Sequence, residues 1–222
     1  MAFGAQVADS NNIPGPNVYV PGTGFKIMQG GALFTDASSN DSAPVRMEPV
    51  AGSRATYSAA ITGLVPVTAA TDIFTLTGSA SKLVKVTRLV ITGSTTLAAT
   101  TILPIQLLLR STADTAGTST APTRVAHYRT DAGVTATVLA YTANPTLGTL
   151  VGVIRNHRMM LQLTPFTATD FPIALPYIED FGMRGGQPPT LSGTADVFAV
   201  NLNAIATITG WLFDISIEWT EE

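Results

Sequence analysis

The sequence predicts an all-β fold, a jelly-roll-like antiparallel β-sandwich with an extended N-terminal arm. Three observations carry this. Runs rich in β-branched and aromatic residues recur from about residue 61 onward, separated by breaks of Gly, Pro, Asn and Ser. The chain ends on GWLFDISIEWTEE, where Trp211, Phe213, Ile215, Ile217 and Trp219 alternate with Asp214, Ser216 and Glu218. That is the period of a half-buried strand, with Leu212 as the exception. No stretch shows the 3.6-residue apolar period of an amphipathic helix.

Residues 1–60 read as an arm. NNIPGPNVYVPGTGFKIMQGGALF and DASSNDSAPVRMEPVAGSR are dense in turn formers, and proline removes backbone donors, so the stretch is a poor core by itself. It nevertheless carries Val18, Tyr19, Val20, Phe25, Ile27, Leu33 and Phe34, more large apolar groups than a solvated linker holds. These seven are the candidate assembly contacts of a segment that orders against its own body or a neighbour. A first hairpin or two of the domain is the alternative reading. Residues 61–222 read as the sandwich.

Within it, strands are expected at TDIFTLTG, KLVKVTRLVITG, TILPIQLLLRS, TRVAHYRT, VTATVLAYT, TLVGVI, RMMLQLT, ADVFAVNLNA and the closing WLFDISIEWT. TADTAGTSTAP and ANPTLG read as breaks. LPIQLLLRS also suits a helix, which Pro104 would keep short. Some eight to ten strands fit two Greek-key sheets around one core. The aromatic face of the last strand completes one sheet, so Trp211, Phe213, Ile215, Ile217 and Trp219 are expected to be structural.

Of the 222 residues, 12% are charged, about half the usual share, and the net charge is −3. Few charges leave much neutral surface, which suits a component buried against partners. A net negative chain has no electrostatic footprint for nucleic acid. There is no cysteine, hence neither disulfide nor thiolate chemistry. No apolar run approaches the ~18 residues of a membrane helix, and the N-terminus lacks the pattern of a signal peptide.

The chemistry-bearing residues do not assemble into a motif. His127 and His157 lack ligand partners at i+2 or i+4, so no metal site is expected, and no G-x-S-x-G elbow is present. GMRGGQPP lacks the ending of a phosphate loop. Lys82 and Arg88 in SKLVKVTR are expected on one strand face with Lys85 on the other, as lysines guarding a sheet edge. PYIEDFGMRGG reads as a loop. Tyr177, Phe181, Glu179 and Asp180 there are the one candidate carbohydrate surface, with a solvated turn as the plain alternative. No catalytic residue and no cofactor is expected, and the chain is read as a non-enzyme.

ATDIFTLTGSASKLVKVTRLVITG, LLLRSTADTAGTSTAPT, AYTANPTLGTLVGVIR and ADVFAVNLN…FDISIEWTEE together resemble small virion proteins of tailed bacteriophages, the head-decoration or cement type. The resemblance covers about residues 65–222 and brings no catalytic residues. It implies a β-sandwich on the outer surface of the phage head, commonly a homotrimer, bound to the major capsid protein or other virion proteins and made in the host cytoplasm. Neither nucleic acid nor membrane is an expected partner. A neck, tail or baseplate adaptor is the alternative, and a carbohydrate- or receptor-binding module the second.

Overall fold

Twelve strands build the body in the computed structural model, which describes residues 54–66, 71–96, 101–163, 175–181, 187–203 and 210–222. In chain order they are β1 (Thr56–Leu64), β2 (Asp72–Thr77), β3 (Val84–Thr95), β4 (Thr101–Arg110), β5 (Ser119–Thr120) and β6 (Arg124–Ala126). After these come β7 (Thr137–Tyr141), β8 (Leu150–Leu163), β9 (Tyr177–Asp180), β10 (Thr190–Leu191), β11 (Val197–Asn201) and β12 (Trp211–Glu221). The arm residues Val18, Tyr19, Val20, Phe25, Ile27, Leu33 and Phe34 lie outside the described residues.

The strands form two antiparallel sheets packed face to face. One runs β6-β1-β12-β3, and the far side of β3 is taken in turn by β10, β9 and the end of β8. The other runs β5-β7-β2-β11-β4-β8. The chain alternates between them, since β1, β3, β9 and β12 lie in the first sheet and β2, β4, β8 and β11 in the second. The sole parallel pairing among the described strands is short, Ser94 with Gln162 and Thr95 with Leu163, where β8 reaches β3. Gly93 makes room there: a Cβ on it would stand 2.5 Å from the Leu161 side chain.

The inward faces follow the period-2 pattern. Phe74 and Leu76 of β2, Leu103, Ile105 and Leu107 of β4, and Phe198 and Val200 of β11 meet Leu89, Ile91, Phe213, Ile215 and Ile217 in one core. The closing strand behaves as its alternation predicts. Trp211, Phe213, Ile215, Ile217 and Trp219 are all buried, while Asp214 is exposed. β12 lies between β1 and β3 along nearly its whole length, so it is an inner strand of its sheet.

Three elements differ from expectation. β1 crosses the expected boundary at residue 60, because Tyr57, Ala59 and Ile61 alternate inward and pair with Trp219, Ile217 and Ile215. TLVGVI and RMMLQLT are one strand, β8, running through Arg155, Asn156 and His157. Those polar side chains stay exposed, so they do not interrupt the ladder with β4. PYIEDFG contains β9, which pairs with β3 from Arg88 to Ile91.

The C-terminal corner is fixed by a buried carboxylate. Glu221 accepts backbone N–H bonds from Thr135 at 3.0 Å and Ala136 at 3.0 Å, the Thr135 hydroxyl at 2.7 Å and Trp219 Nε1 at 3.1 Å. Lys82 Nζ lies 3.3 Å away and 5.9 Å above the Tyr57 ring, which stacks on Trp219. Burial pushes the Glu221 carboxyl up, but the donors from Ala136, Thr135 and Trp219 outweigh it and hold the group below its ordinary range. A lowered carboxyl stabilises the fold above the ordinary glutamate pKa of about 4.3, and this is lost as pH falls through the folded-state value. Glu221→Gln is therefore expected to cost about 1.5–3 kcal/mol near pH 7 and to flatten the loss of stability on the acid side. Denaturant titrations from pH 7 to pH 3 check both. An unchanged acid limb would show that this carboxylate is not what acid unlocks.

Candidate docking surface

β8 is the outermost strand of its sheet from Leu150 to Leu161, with β4 on one side and no described strand on the other. Its pairing with β4 is irregular between Leu107 and Leu108 and again between Leu109 and Arg110. Each extra residue shifts the inward–outward phase of an edge strand, so apolar side chains are released to solvent. Leu150, Val151 and Val153 are exposed, Val151 by 64%. Further along, Ile102 and Met160 face each other across β4 and β8 and are 63% and 49% exposed. Gln106 Nε2 donates to Asn156 Oδ1 at 2.8 Å between them. The result is an apolar rim with polar inserts, the composition of a protein-contact surface.

Next to this rim, β8 meets β9 through side chains. His157 stacks on Tyr177 with ring centroids 4.3 Å apart. The Tyr177 hydroxyl donates to Glu179 Oε2 at 3.0 Å, and Arg155 Nε donates to Glu179 Oε1 at 3.2 Å. Burial, then the bond to Glu179 and its charge, push the Tyr177 phenol above its ordinary range, so it remains a neutral donor. Arg88 pairs with Asp180 at 3.3 Å on the outer side.

The candidate carbohydrate surface is pulled apart by this geometry. Phe181 packs against the core, edge-on to Phe198 at 5.8 Å, and Tyr177 is buried against His157. Neither ring offers the open flat face on which a sugar stacks. Glu179 and Asp180 are each held by an arginine and, as neighbours on a strand, point to opposite faces.

The expectation for the basic run is overturned. β3 is an inner strand, so Lys85 and Arg88 guard no edge. Their charges answer carboxylates: Lys82 pairs with Glu221, Lys85 with Glu222 and Arg88 with Asp180. The ladder with β12 steps from Arg88 to Val86, leaving Thr87 as an extra residue. That shift places Lys85 and Arg88 on the same outer face, where strict alternation had separated them. His127 and His157 are both exposed, and among the described residues no group of three His, Cys, Asp or Glu is arranged to hold a metal ion.

A polar cluster that the sequence did not disclose lies in the second sheet. Arg110 Nε and Nη2 donate to the two oxygens of Asp72 at 2.6 and 2.9 Å, and Asn201 Nδ2 donates to Asp72 Oδ1 at 2.5 Å. Arg110 Nη1 donates to the Gly148 carbonyl at 2.7 Å. Asp72 and Arg110 are both buried, so this is a fully desolvated bidentate pair. No family model, curated protein or solved structure matches this chain.

Proposed function

We propose that the chain is a structural protein of a tailed-bacteriophage virion, a decoration or cement protein that binds the outer surface of the head as a homotrimer. The observation that carries the reading is the apolar rim of Leu150, Val151, Val153, Ile102 and Met160 on a two-sheet body. Such a rim recognises protein by apolar burial and needs no charged footprint. The body itself we read as a jelly roll. Support comes from the strand orders β1-β12-β3-β9 and β2-β11-β4-β8, which are those of two interleaved Greek keys. β5, β6 and β7 are then an excursion between the fourth and fifth strands of the roll, and β10 is a short addition before β11. The resemblance of residues 65–222 to phage head-decoration proteins points the same way.

A three-fold body matches the local three-fold positions of a shell, and contacts repeated three times gain effective concentration. Binding only the assembled shell then stabilises it by mass action. A neck, tail or baseplate adaptor would use the same rim at a different place, and copy number separates the two. Quantitative mass spectrometry of purified particles should give on the order of hundreds of copies for a head protein. A small multiple of three or six would move the protein to the neck or tail.

The arm is tested by truncation. Because β1 begins at Thr56 and the Ala55 carbonyl accepts the Glu221 N–H at 3.2 Å, the cut must fall before Arg54. Deleting residues 1–53 is expected to leave the melting temperature of the body nearly unchanged while abolishing trimer formation or shell attachment. Light scattering and a particle-coating assay read these separately. Full coating by the truncated chain would remove the arm from the proposal.

A further inference from the structure

We propose that Asp114 is a proton-operated clasp at the neck of the β4–β8 excursion, closed when its carboxyl is protonated and loosened when it ionises. This goes beyond the virion reading and does not depend on it. The excursion leaves β4 after Arg110 and returns to β8 at Leu150, carrying β5, β6 and β7. Its two ends are tied together over a short distance. Ser111 N donates to the Thr149 carbonyl at 2.9 Å, Thr149 N to the Thr112 hydroxyl at 2.7 Å, and Thr115 and Thr146 exchange backbone bonds. Gly148 N donates to Asp114 Oδ1 at 2.8 Å. Only glycine fits at 148, since a Cβ there would overlap the Thr112 carbonyl.

Among the described residues, the charge count at this neck does not balance. Two carboxylates, Asp72 from β2 and Asp114 from the neck itself, face one guanidinium, Arg110 from β4. Arg110 Nε lies 2.6 Å from Asp72 and 3.5 Å from Asp114, so its charge is committed to Asp72. Tyr141 from β7 and Asn201 from β11 close the cluster, and neither brings a positive charge. The Asp114 side chain is 1% exposed, and its Oδ2 is buried and receives no hydrogen bond from the described residues. An ionised Asp114 would therefore add one uncompensated negative charge to a dry site, which is costly, whereas a proton on it restores neutrality.

The electrostatics agree with the geometry. Burial above all, with Asp72 adding to it, pushes the Asp114 carboxyl up to about 6, against the opposing pull of the Gly148 N–H and Arg110. A carboxyl raised on folding stabilises the native state below its unfolded pKa. That contribution is lost as pH rises through the folded value. The window runs from about pH 4 to about pH 6. Above it, Asp114 competes with Asp72 for Arg110 and draws water towards the neck.

Two measurements on the full chain test this. Carboxyl carbon NMR should show Asp114 titrating near 6 rather than in the ordinary aspartate range of about 4. Hydrogen exchange of residues 111–118 and 143–149, corrected for the intrinsic pH dependence, should show protection that falls as pH rises through this window. In Asp114→Asn, which is neutral at every pH, protection should stay flat. An ordinary titration, as expected if a buried water satisfies Oδ2, would overturn the proposal. So would flat protection in the unmodified protein, or a pH dependence that survives in Asp114→Asn. Should the variant fail to fold, the NMR titration decides alone.

Discussion

Arg110→Met is expected to destabilise the body by about 3–5 kcal/mol, because it strands the Asp72 carboxylate in a site with no solvent exposure. Of the three side-chain donors to Asp72, two come from Arg110, and the Asn201 amide alone cannot offset the loss. The Gly148 carbonyl loses its Arg110 donor as well. Against a typical margin of ~5–15 kcal/mol, this removes a large fraction of the stability. The effect should reside in the stranded charge and not in lost attraction. Adding Asp72→Leu to Arg110→Met should therefore recover most of the loss, since a buried ion pair replaced by apolar side chains is commonly near neutral. Urea titrations of the two single variants and the double variant close a thermodynamic cycle. A single-variant cost below about 1 kcal/mol, or a double variant no better than Arg110→Met, would show that water reaches Asp72 when Arg110 is gone.

This pair also marks where sequence reasoning stops. Asp72 sits at the head of an apolar run and Arg110 at the tail of another, so each reads as an ordinary solvated strand end. They meet across β11, which lies between β2 and β4: Asn201 pairs with Asp72, Arg110 pairs with Val197 further along, and the long Arg110 side chain spans the offset. That convergence is a product of sheet order, which has no local signature. The clue available beforehand was weak: a lone acid and a lone base in segments otherwise nearly free of charge.

What was legible had a period. The closing strand alternates over its whole length, and its five inward side chains are the ones found buried. LPIQLLLRS is strand β4, with Leu103, Ile105 and Leu107 inward as alternation requires. Segments whose period is interrupted were misread. In β1 the small side chains of Ala59 and Ala60 weaken the contrast between the two faces, so the sequence shows no strand there and the arm boundary at residue 60 cuts through it. In β8 the triplet Arg155, Asn156, His157 looks like a turn, yet an edge strand tolerates polar side chains on exposed positions at little cost. At Leu150, Val151 and Val153 the apolar rim has no signature in the sequence because bulges create it, whereas Ile102 and Met160 lie in the regular stretch of the β4–β8 ladder. An extra residue in β8 reverses which side chains face outward, and its position depends on the β4 register.

Trp219→Ala should produce the second large loss, about 3–5 kcal/mol, and it should act on both termini of the folded body at once. The ring is wholly buried, stacks on Tyr57 with centroids 6.0 Å apart, and donates Nε1 to Glu221. Tyr57 in turn donates its hydroxyl to the Ala132 carbonyl at 2.6 Å, and Glu221 holds the backbone of Thr135 and Ala136. Removing the indole thus opens a cavity between β1 and β12 and deprives the Glu221 carboxylate of one donor. Trp219→Phe separates the two effects. It keeps most of the packing and loses only the N–H, so it should cost about 1.5–3 kcal/mol, in the range of a hydrogen bond to a charged group. Its loss should also shrink as pH falls and Glu221 is protonated, whereas the cavity in Trp219→Ala is indifferent to pH. If the cost of Trp219→Phe relative to the unsubstituted protein stayed the same from pH 7 to pH 3, the indole N–H would add nothing to the Glu221 carboxylate and the ring would act through packing alone.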